Sequence, residues 1–214
     1  MFGNFFGKKD EPASPPKAPE VLGLFLGGAF EIDALRLRLV EPELIIEGAA
    51  KTHVIQAVGE IKLDASSTIL RYYTDDDAYL QILLSGGRSD SCVADVKLWY
   101  FYETKQVGSD WDELLRERIS RPQITLEGFA FTRVWEGAGS SSPAVAMTEK
   151  TYNLDGSVSE TDQFMMLYER QAGENLNEYA TYAGEERITD NQPERCFVIS
   201  TGFDISQADL RVMG

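Results

Sequence analysis

Apolar and polar side chains alternate along most of this sequence, and this period of two constrains the fold more than any other feature. Leu35, Leu37 and Leu39 would share one side of an extended chain, with Arg36 and Arg38 on the other, which predicts a half-buried β-strand. The same pattern predicts strands over residues 43–47, 54–63, 68–73, 79–84, 93–102, 123–135, 145–153, 157–169, 178–181 and 196–203. Short strands joined by polar turns indicate antiparallel pairing.

Helical patterns are confined to short segments. Trp111, Leu114, Leu115 and Ile119 would line one stripe of a helix over residues 111–119, which ends before Pro122. A second short helix is predicted over residues 206–213. The predicted fold class is therefore mainly β, with α+β as the alternative: antiparallel sheets as a sandwich or an open barrel with two or three short helices.

The first twenty residues differ in composition from the rest of the chain. Residues 10–20 contain four of the eight prolines, which favours an extended and solvated linker. We therefore predict a disordered aromatic tip and Pro-rich linker over residues 1–20, and a single β-rich globular domain over residues 21–214. A strand with tyrosine precedes an acidic turn at both 71–77 and 151–156, so two related β-halves are an alternative.

The charge balance narrows the classes of partner. Acidic residues number 35 and basic residues 20, a net charge of −15, which opposes binding to a nucleic acid backbone and favours a basic partner. The sequence contains no apolar run long enough for a transmembrane segment and no secretory signal pattern. Cys92 and Cys196 have neither metal-site spacing nor a nearby histidine, which is typical of reduced thiols in the cytoplasm.

Residues that could carry chemistry are sparse. His53 is the only histidine, and its alternation with apolar residues is typical of an exposed or locally hydrogen-bonded side chain. Residues 153–162 imitate part of a calcium loop, and residues 75–77 are three consecutive aspartates, but both patterns are better explained as turns. We predict no catalytic residue, no metal site and no cofactor. A pair of carboxylates acting as an enzyme remains an alternative, because sequence gives no distances.

Aromatic residues define a second alternative. Trp99 and Phe101 on one strand, together with Trp135 and the Gly/Ser-rich loop 137–143, are candidate lining for a small apolar or planar ligand in the mouth of a barrel or sandwich. The same aromatics also suit the core of a sheet.

The N-terminal tip is the one functional element that the residues themselves suggest. Phe2, Phe5 and Phe6 would form an apolar edge on one helical turn, and Lys8 and Lys9 follow directly. Such a segment is suited to weak contact with an anionic membrane surface or with a partner protein.

Three segments carry a family resemblance: residues 1–9, residues 71–77 with Leu80 and Gln81, and residues 164–170. Together they resemble the YjfK-like family of bacterial proteins of unknown function. The resemblance implies a cytoplasmic bacterial protein that is often encoded near a phage-shock-like membrane-stress protein and small membrane proteins. The tip adds peripheral placement at the inner membrane as an alternative expectation. It supplies no catalytic residue. With the acidic body and the tip, it favours a non-enzymatic accessory or adaptor protein of an envelope- or membrane-stress-related system, whose partner is another protein.

Overall fold

A computed structural model describes residues 17–135 and 142–213. Within these ranges, twelve antiparallel strands form one sheet, so the predicted mainly β, antiparallel class is confirmed. The strands are β1 (Ala29–Ile32), β2 (Thr52–Lys62), β3 (Ser67–Thr74), β4 (Ala78–Ser85), β5 (Val93–Gln106), β6 (Gln123–Leu126), β7 (Phe129–Arg133), β8 (Val145–Asn153), β9 (Val158–Gly173), β10 (Leu176–Thr189), β11 (Gln192–Asp204) and β12 (Leu210–Met213).

Eight of these strands close a hydrogen-bonded ring. The order is β2-β3-β4-β5-β11-β10-β9-β8, and β8 pairs with β2 to complete it. The ring consists of two four-stranded meanders, β2 to β5 and β8 to β11, whose first strands pair with each other and whose last strands pair with each other. Strands β1 and β12 branch from β2, and β7 and β6 branch from β9, so the sheet is not a simple barrel.

The helices are short, and none within the described ranges is long and apolar enough to cross a membrane. Helix α1 spans Ala34–Val40, and α2 spans Trp111–Glu113 and continues as a π-helix over Leu114–Ile119. The helix predicted over 111–119 is therefore confirmed.

The strand predicted around Leu35, Leu37 and Leu39 is wrong, because these residues belong to α1. The Asp33 side chain accepts a hydrogen bond from the backbone N of Arg36 at 2.9 Å and caps the helix. Leu37 and Val40 are buried three residues apart, whereas Leu35 and Leu39 stay 66% and 67% exposed. A short segment in which apolar and polar residues alternate can therefore form a helix with one buried face when an N-cap residue precedes it.

Two further segments correct the prediction. Residues 43–47 are not a strand: a 3₁₀ turn over Glu41–Glu43 contains Pro42, which lacks an N–H, and irregular chain with buried Leu44 and Ile46 follows. Residues 206–213 are not a helix, because the 3₁₀ turn Gln207–Asp209 leads into β12, which pairs with β1.

The predicted strand over 123–135 is a hairpin rather than one strand. Glu127 and Gly128 have φ of 49° and 83°, the left-handed values that a two-residue turn between β6 and β7 requires.

Two apolar cores lie outside the ring, one against each meander. The first packs the N-terminal segment and α1 against the outer face of β2 to β5, where Val58, Leu70 and Leu98 are buried. The second packs α2 and the β6–β7 hairpin against the outer face of β9 to β11. Because side chains alternate along a strand, the neighbours of these core residues point into the ring.

The two hairpins compared in the sequence hold different places in the two meanders. The turn at 74–78 joins the second and third strands of the first meander, whereas the turn at 153–157 joins the first and second strands of the other. Related β-halves stay a prediction, and so does the separation of residues 1–20 from the domain, since residues 1–16 lie outside the described ranges.

Candidate functional site

A polar network centred on Arg71 of β3 fills one level of the ring interior. The Arg71 side chain is only 5% exposed. Its Nη1 donates to Glu149 Oε2 at 2.8 Å and to Gln163 Oε1 at 2.9 Å, and its Nε donates to Gln81 Oε1 at 3.2 Å. Strands β3 and β9 are not neighbours in the sheet, so the contact between Arg71 and Gln163 crosses the interior of the ring.

Glu149 of β8 is held from several sides at once. Its carboxylate accepts hydrogen bonds from Tyr73 Oη at 2.7 Å and from Gln163 Nε2 at 2.9 Å, in addition to Arg71. A Cβ at Gly59 would overlap this carboxylate, so glycine on β2 makes the room that Glu149 occupies. Burial alone lowers the pKa of Arg71, but the charge of Glu149, together with smaller contributions from Tyr73 and Tyr79, raises the pKa overall, so Arg71 is a permanent cation.

A second carboxyl group, Glu185 of β10, shares the same bridging amide. Gln163 Nε2 donates to Glu185 Oε1 at 3.2 Å as well as to Glu149. Burial, followed by repulsion from Glu149, raises the pKa of Glu185 to about 7, against a smaller lowering by Arg71. The network therefore holds one permanent cation, one ion-paired carboxylate and one carboxyl group that changes protonation near neutral pH.

Glu185 also borders a cleft of ≈ 740 Å³ at one end of the ring. Thr161, Arg187 and Cys196 lie on the same lining. Cys196 Sγ is 3.9 Å from Glu185 Oε2 and donates to it. Burial, and then the charge of Glu185, raises the pKa of Cys196 to about 11, so this thiol is protonated and poorly nucleophilic at neutral pH.

The aromatic residues predicted to line a ligand site occupy separate places. Trp99 is 1% exposed and stacks on Tyr79 inside the ring, with 6.0 Å between ring centroids. Phe101 also contacts Tyr79, at 5.4 Å, and is 38% exposed. Trp135 instead packs against the second outer core, and residues 137–141 of the adjacent loop lie outside the described ranges. The structure brings Trp99 and Phe101 together and leaves Trp135 apart from them.

His53 is fully buried, which corrects the expectation of an exposed side chain and supports the hydrogen-bonded alternative. Its Nδ1 lies 3.1 Å from Asp76 Oδ1, and its ring stacks on Phe30 at 4.7 Å. Asp76 belongs to the β3–β4 turn, where Asp75 Oδ1 also accepts a hydrogen bond from the backbone N–H of Val54 at 3.0 Å. The three aspartates therefore form a turn, as predicted, and the turn is tied to β2.

The segment that imitates a calcium loop is the β8–β9 hairpin turn. Gly156 has a φ of 81°, and Asp155 Oδ1 accepts a hydrogen bond from the backbone N–H of Ser157 at 2.8 Å. In the described ranges, no group of three His, Cys, Asp or Glu side chains is arranged to hold a metal ion. Cys92 and Cys196 are free and half-buried.

The tip residues Phe2, Phe5, Phe6, Lys8 and Lys9 lie outside the described residues. Sequence reasoning missed the network in the ring. The available signal was a charged residue, Arg71, inside a strand with apolar neighbours on both sides, which is uncommon unless the charge is paired.

Comparison with known proteins gives a family and one curated relative. The family model described as "Protein of unknown function (DUF2491)" matches residues 1–211. A protein of Escherichia coli strain K12 named "Uncharacterized protein YjfK" is 33% identical over 220 residues, which cover 100% of this chain and 99% of that protein. Both findings confirm the resemblance noted in the sequence. No solved structure matches the chain.

Proposed function

The chain belongs to the DUF2491 family of proteins of unknown function, and we propose that it is a non-enzymatic accessory protein of an envelope- or membrane-stress-related system. In this role a rigid β-body binds a membrane-associated partner protein in the cytoplasm, and the N-terminal tip adds a weak contact with the anionic inner surface of the membrane.

The filled interior of the ring carries the proposal. Trp99 and Tyr79 are 1% and 3% exposed, and the Arg71 network occupies the adjoining level. A ring packed with its own side chains has little space for an apolar or planar ligand, which favours recognition through the outer surface. The net charge of −15 suits a basic partner rather than a nucleic acid.

The tip supplies the chemistry of the membrane contact. Burying one phenylalanine is worth roughly 1.5–3 kcal/mol, and each lysine adds about 1 kcal/mol at an anionic surface. Ordering the segment costs part of this gain, and the acidic body is repelled. Binding by one copy is therefore marginal and salt-sensitive, and a second contact through the partner makes it useful.

Substitution of all three phenylalanines tests this function. Phe2, Phe5 and Phe6 are changed together to alanine in the full chain, and Phe129→Ala, which removes an exposed aromatic of β7, serves as the matched control. We expect the triple variant, and not the control, to lose sedimentation with phosphatidylserine vesicles and to lose partners in a pull-down from native cells. Equal behaviour of the triple variant and the unchanged protein in both assays would reject the role of the tip.

The cleft beside Glu185 supports a second candidate, the binding of a small polar ligand. The observation that favours it is a carboxyl group with a pKa of about 7 on the lining of a cleft of ≈ 740 Å³. The test is a thermal-shift screen of small polar metabolites against the unchanged protein and Glu185→Gln. Hits that shift both proteins equally would exclude this site.

The same geometry weighs against the alternative of an enzyme with a carboxylate pair. Glu149 and Glu185 share Gln163, but Glu149 is ion-paired with Arg71 and only Glu185 lies on the cleft lining. Paired-carboxylate hydrolysis needs both acids to reach the substrate. Glu194 is a second carboxyl group on the lining and is exposed to solvent, so the pair of acids that shares Gln163 is not a pair that a substrate in the cleft would meet.

A further inference from the structure

We propose that the N-terminal tip has a storage groove on its own body, between the start of the described chain and the β8–β9 hairpin, from which a membrane surface or partner releases it. This inference rests on the proposed function of the tip and adds the control of that function.

The groove has a volume of ≈ 360 Å³ and is lined by Phe25 and Leu26 on one side and by Leu154 and Val158 on the other. Three of these side chains are large apolar groups that remain well exposed: Phe25 is 36%, Leu154 54% and Val158 36% exposed. An apolar groove of this kind gains stability when another apolar side chain covers it.

The tip is the occupant because the chain outside the described ranges ends at this groove. Lys17, the first described residue, lines the groove itself. The next residues are fixed to the body, since the carbonyl of Pro19 accepts a hydrogen bond from Tyr72 Oη at 3.5 Å. Residues 7–16 form a connection of ten residues that reaches at most roughly 35 Å, enough to return Phe5 and Phe6 to the groove. A short tether also gives the tip a high effective concentration there.

Charge favours the same occupant. Lys8 and Lys9 follow the aromatic edge, and Asp155 lies in the hairpin turn beside Leu154. Glu20 also lies on the lining, but Lys17 Nζ lies 3.1 Å from its carboxylate, so its charge is already paired. The hydrogen bonds from Ser157 lower the pKa of Asp155, so it is an anion at neutral pH. The groove therefore offers the tip an apolar surface with negative charge beside it, as an anionic membrane does, and the two compete for one segment.

Hydrogen exchange tests the docking without any membrane. In the full chain, changing Phe2, Phe5 and Phe6 to alanine is expected to speed amide exchange of residues 153–158 and 25–27 at least about twofold. The Phe129→Ala control is expected to leave these amides unchanged. Identical exchange in the triple variant and the unchanged protein would overturn the inference.

A groove variant tests the competition with the membrane. Leu154→Asp places a charge on an exposed turn residue, so the fold is expected to persist, and it should raise sedimentation with phosphatidylserine vesicles at least about twofold. The gain should vanish when the three phenylalanines are also changed. Unchanged sedimentation of Leu154→Asp, in a protein that does bind vesicles, would refute storage.

A photo-crosslinker at position 5 identifies whose groove is used. Crosslinks to residues 152–158 within one chain support storage, whereas crosslinks found only between chains would overturn it in favour of a second copy. If the triple variant speeds exchange but neither the unchanged protein nor any variant binds vesicles or partners, the docking of the tip in the groove is supported and the proposed function is rejected. The two hypotheses can therefore be rejected independently.

Discussion

The Glu185→Gln substitution is expected to stabilise the folded protein near pH 8 and to change little near pH 5. Glu185 has a folded-state pKa of about 7 against an ordinary value of 4.5, with burial as the main cause. Between these values the unfolded chain binds fewer protons than the folded chain, so the free energy of unfolding falls as the pH rises. Above about pH 7 the full cost of the buried charge is present. Glutamine stays neutral and keeps the oxygen that accepts from Gln163.

The magnitude follows from the same pKa difference. A rise from 4.5 to about 7 corresponds to a differential interaction of about 3 kcal/mol between the two protonation states. Because Glu185 borders an open cleft, solvent screens part of this cost, and we expect a gain of about 1–3 kcal/mol for the variant near pH 8. The charges that set the value are Glu149 and Arg71 in the network, and the Cys196 thiol on β11 donates to Glu185.

Urea unfolding followed by tryptophan fluorescence measures the effect, since Trp99 and Trp111 are buried in the fold. The free energy of unfolding is compared at several pH values between about pH 5 and pH 8. Glu194→Gln, an exposed carboxyl on the same cleft, is the matched control and should follow the unchanged protein. If the pH profile of Glu185→Gln runs parallel to that of the unchanged protein, Glu185 does not titrate as described.

Two further predictions concern the room inside the ring and the two thiols. Gly59→Ala is expected to destabilise the protein by about 1–3 kcal/mol in thermal unfolding, because the added Cβ displaces the Glu149 carboxylate. Gly108→Ala is the control and should change the unfolding midpoint little, because the space around Gly108 is open. Equal midpoints for the two variants would contradict the packing described. Hydrogen bonds with Ser89 lower the pKa of Cys92, whereas burial raises the pKa of Cys196. Cys92 should therefore react with iodoacetamide near pH 8 at least about tenfold faster than Cys196, as followed by mass spectrometry of the labelled peptides. Equal rates would contradict the difference in thiolate fraction.

Local patterns predicted most strands because they concern neighbours in sequence. The run at 93–102 lies within β5, and the runs at 145–153 and 157–169 became β8 and β9 with a tight turn between them. Prediction failed at α1, where the same alternation suits a strand and a helix. There the outcome depended on a cap from Asp33 and on a core that accepts Leu37 and Val40. Both are contacts that a period of two does not encode.

The candidate site depends on how the ring closes, and no local pattern contains that information. Arg71 and Glu149 are 78 residues apart and meet only because β8 pairs with β2, which places both side chains on the inner face. A register shift of one residue in β8 would turn Glu149 outward and leave the Arg71 guanidinium buried without its carboxylate. The ion pair thus favours the observed register of β8 on β2. Gly59 favours the same register, because it leaves the space that the Glu149 side chain occupies. Of the two acids that share Gln163, Glu149 is ion-paired with Arg71, so Glu185, on the cleft lining, is the one placed to exchange protons with the cleft.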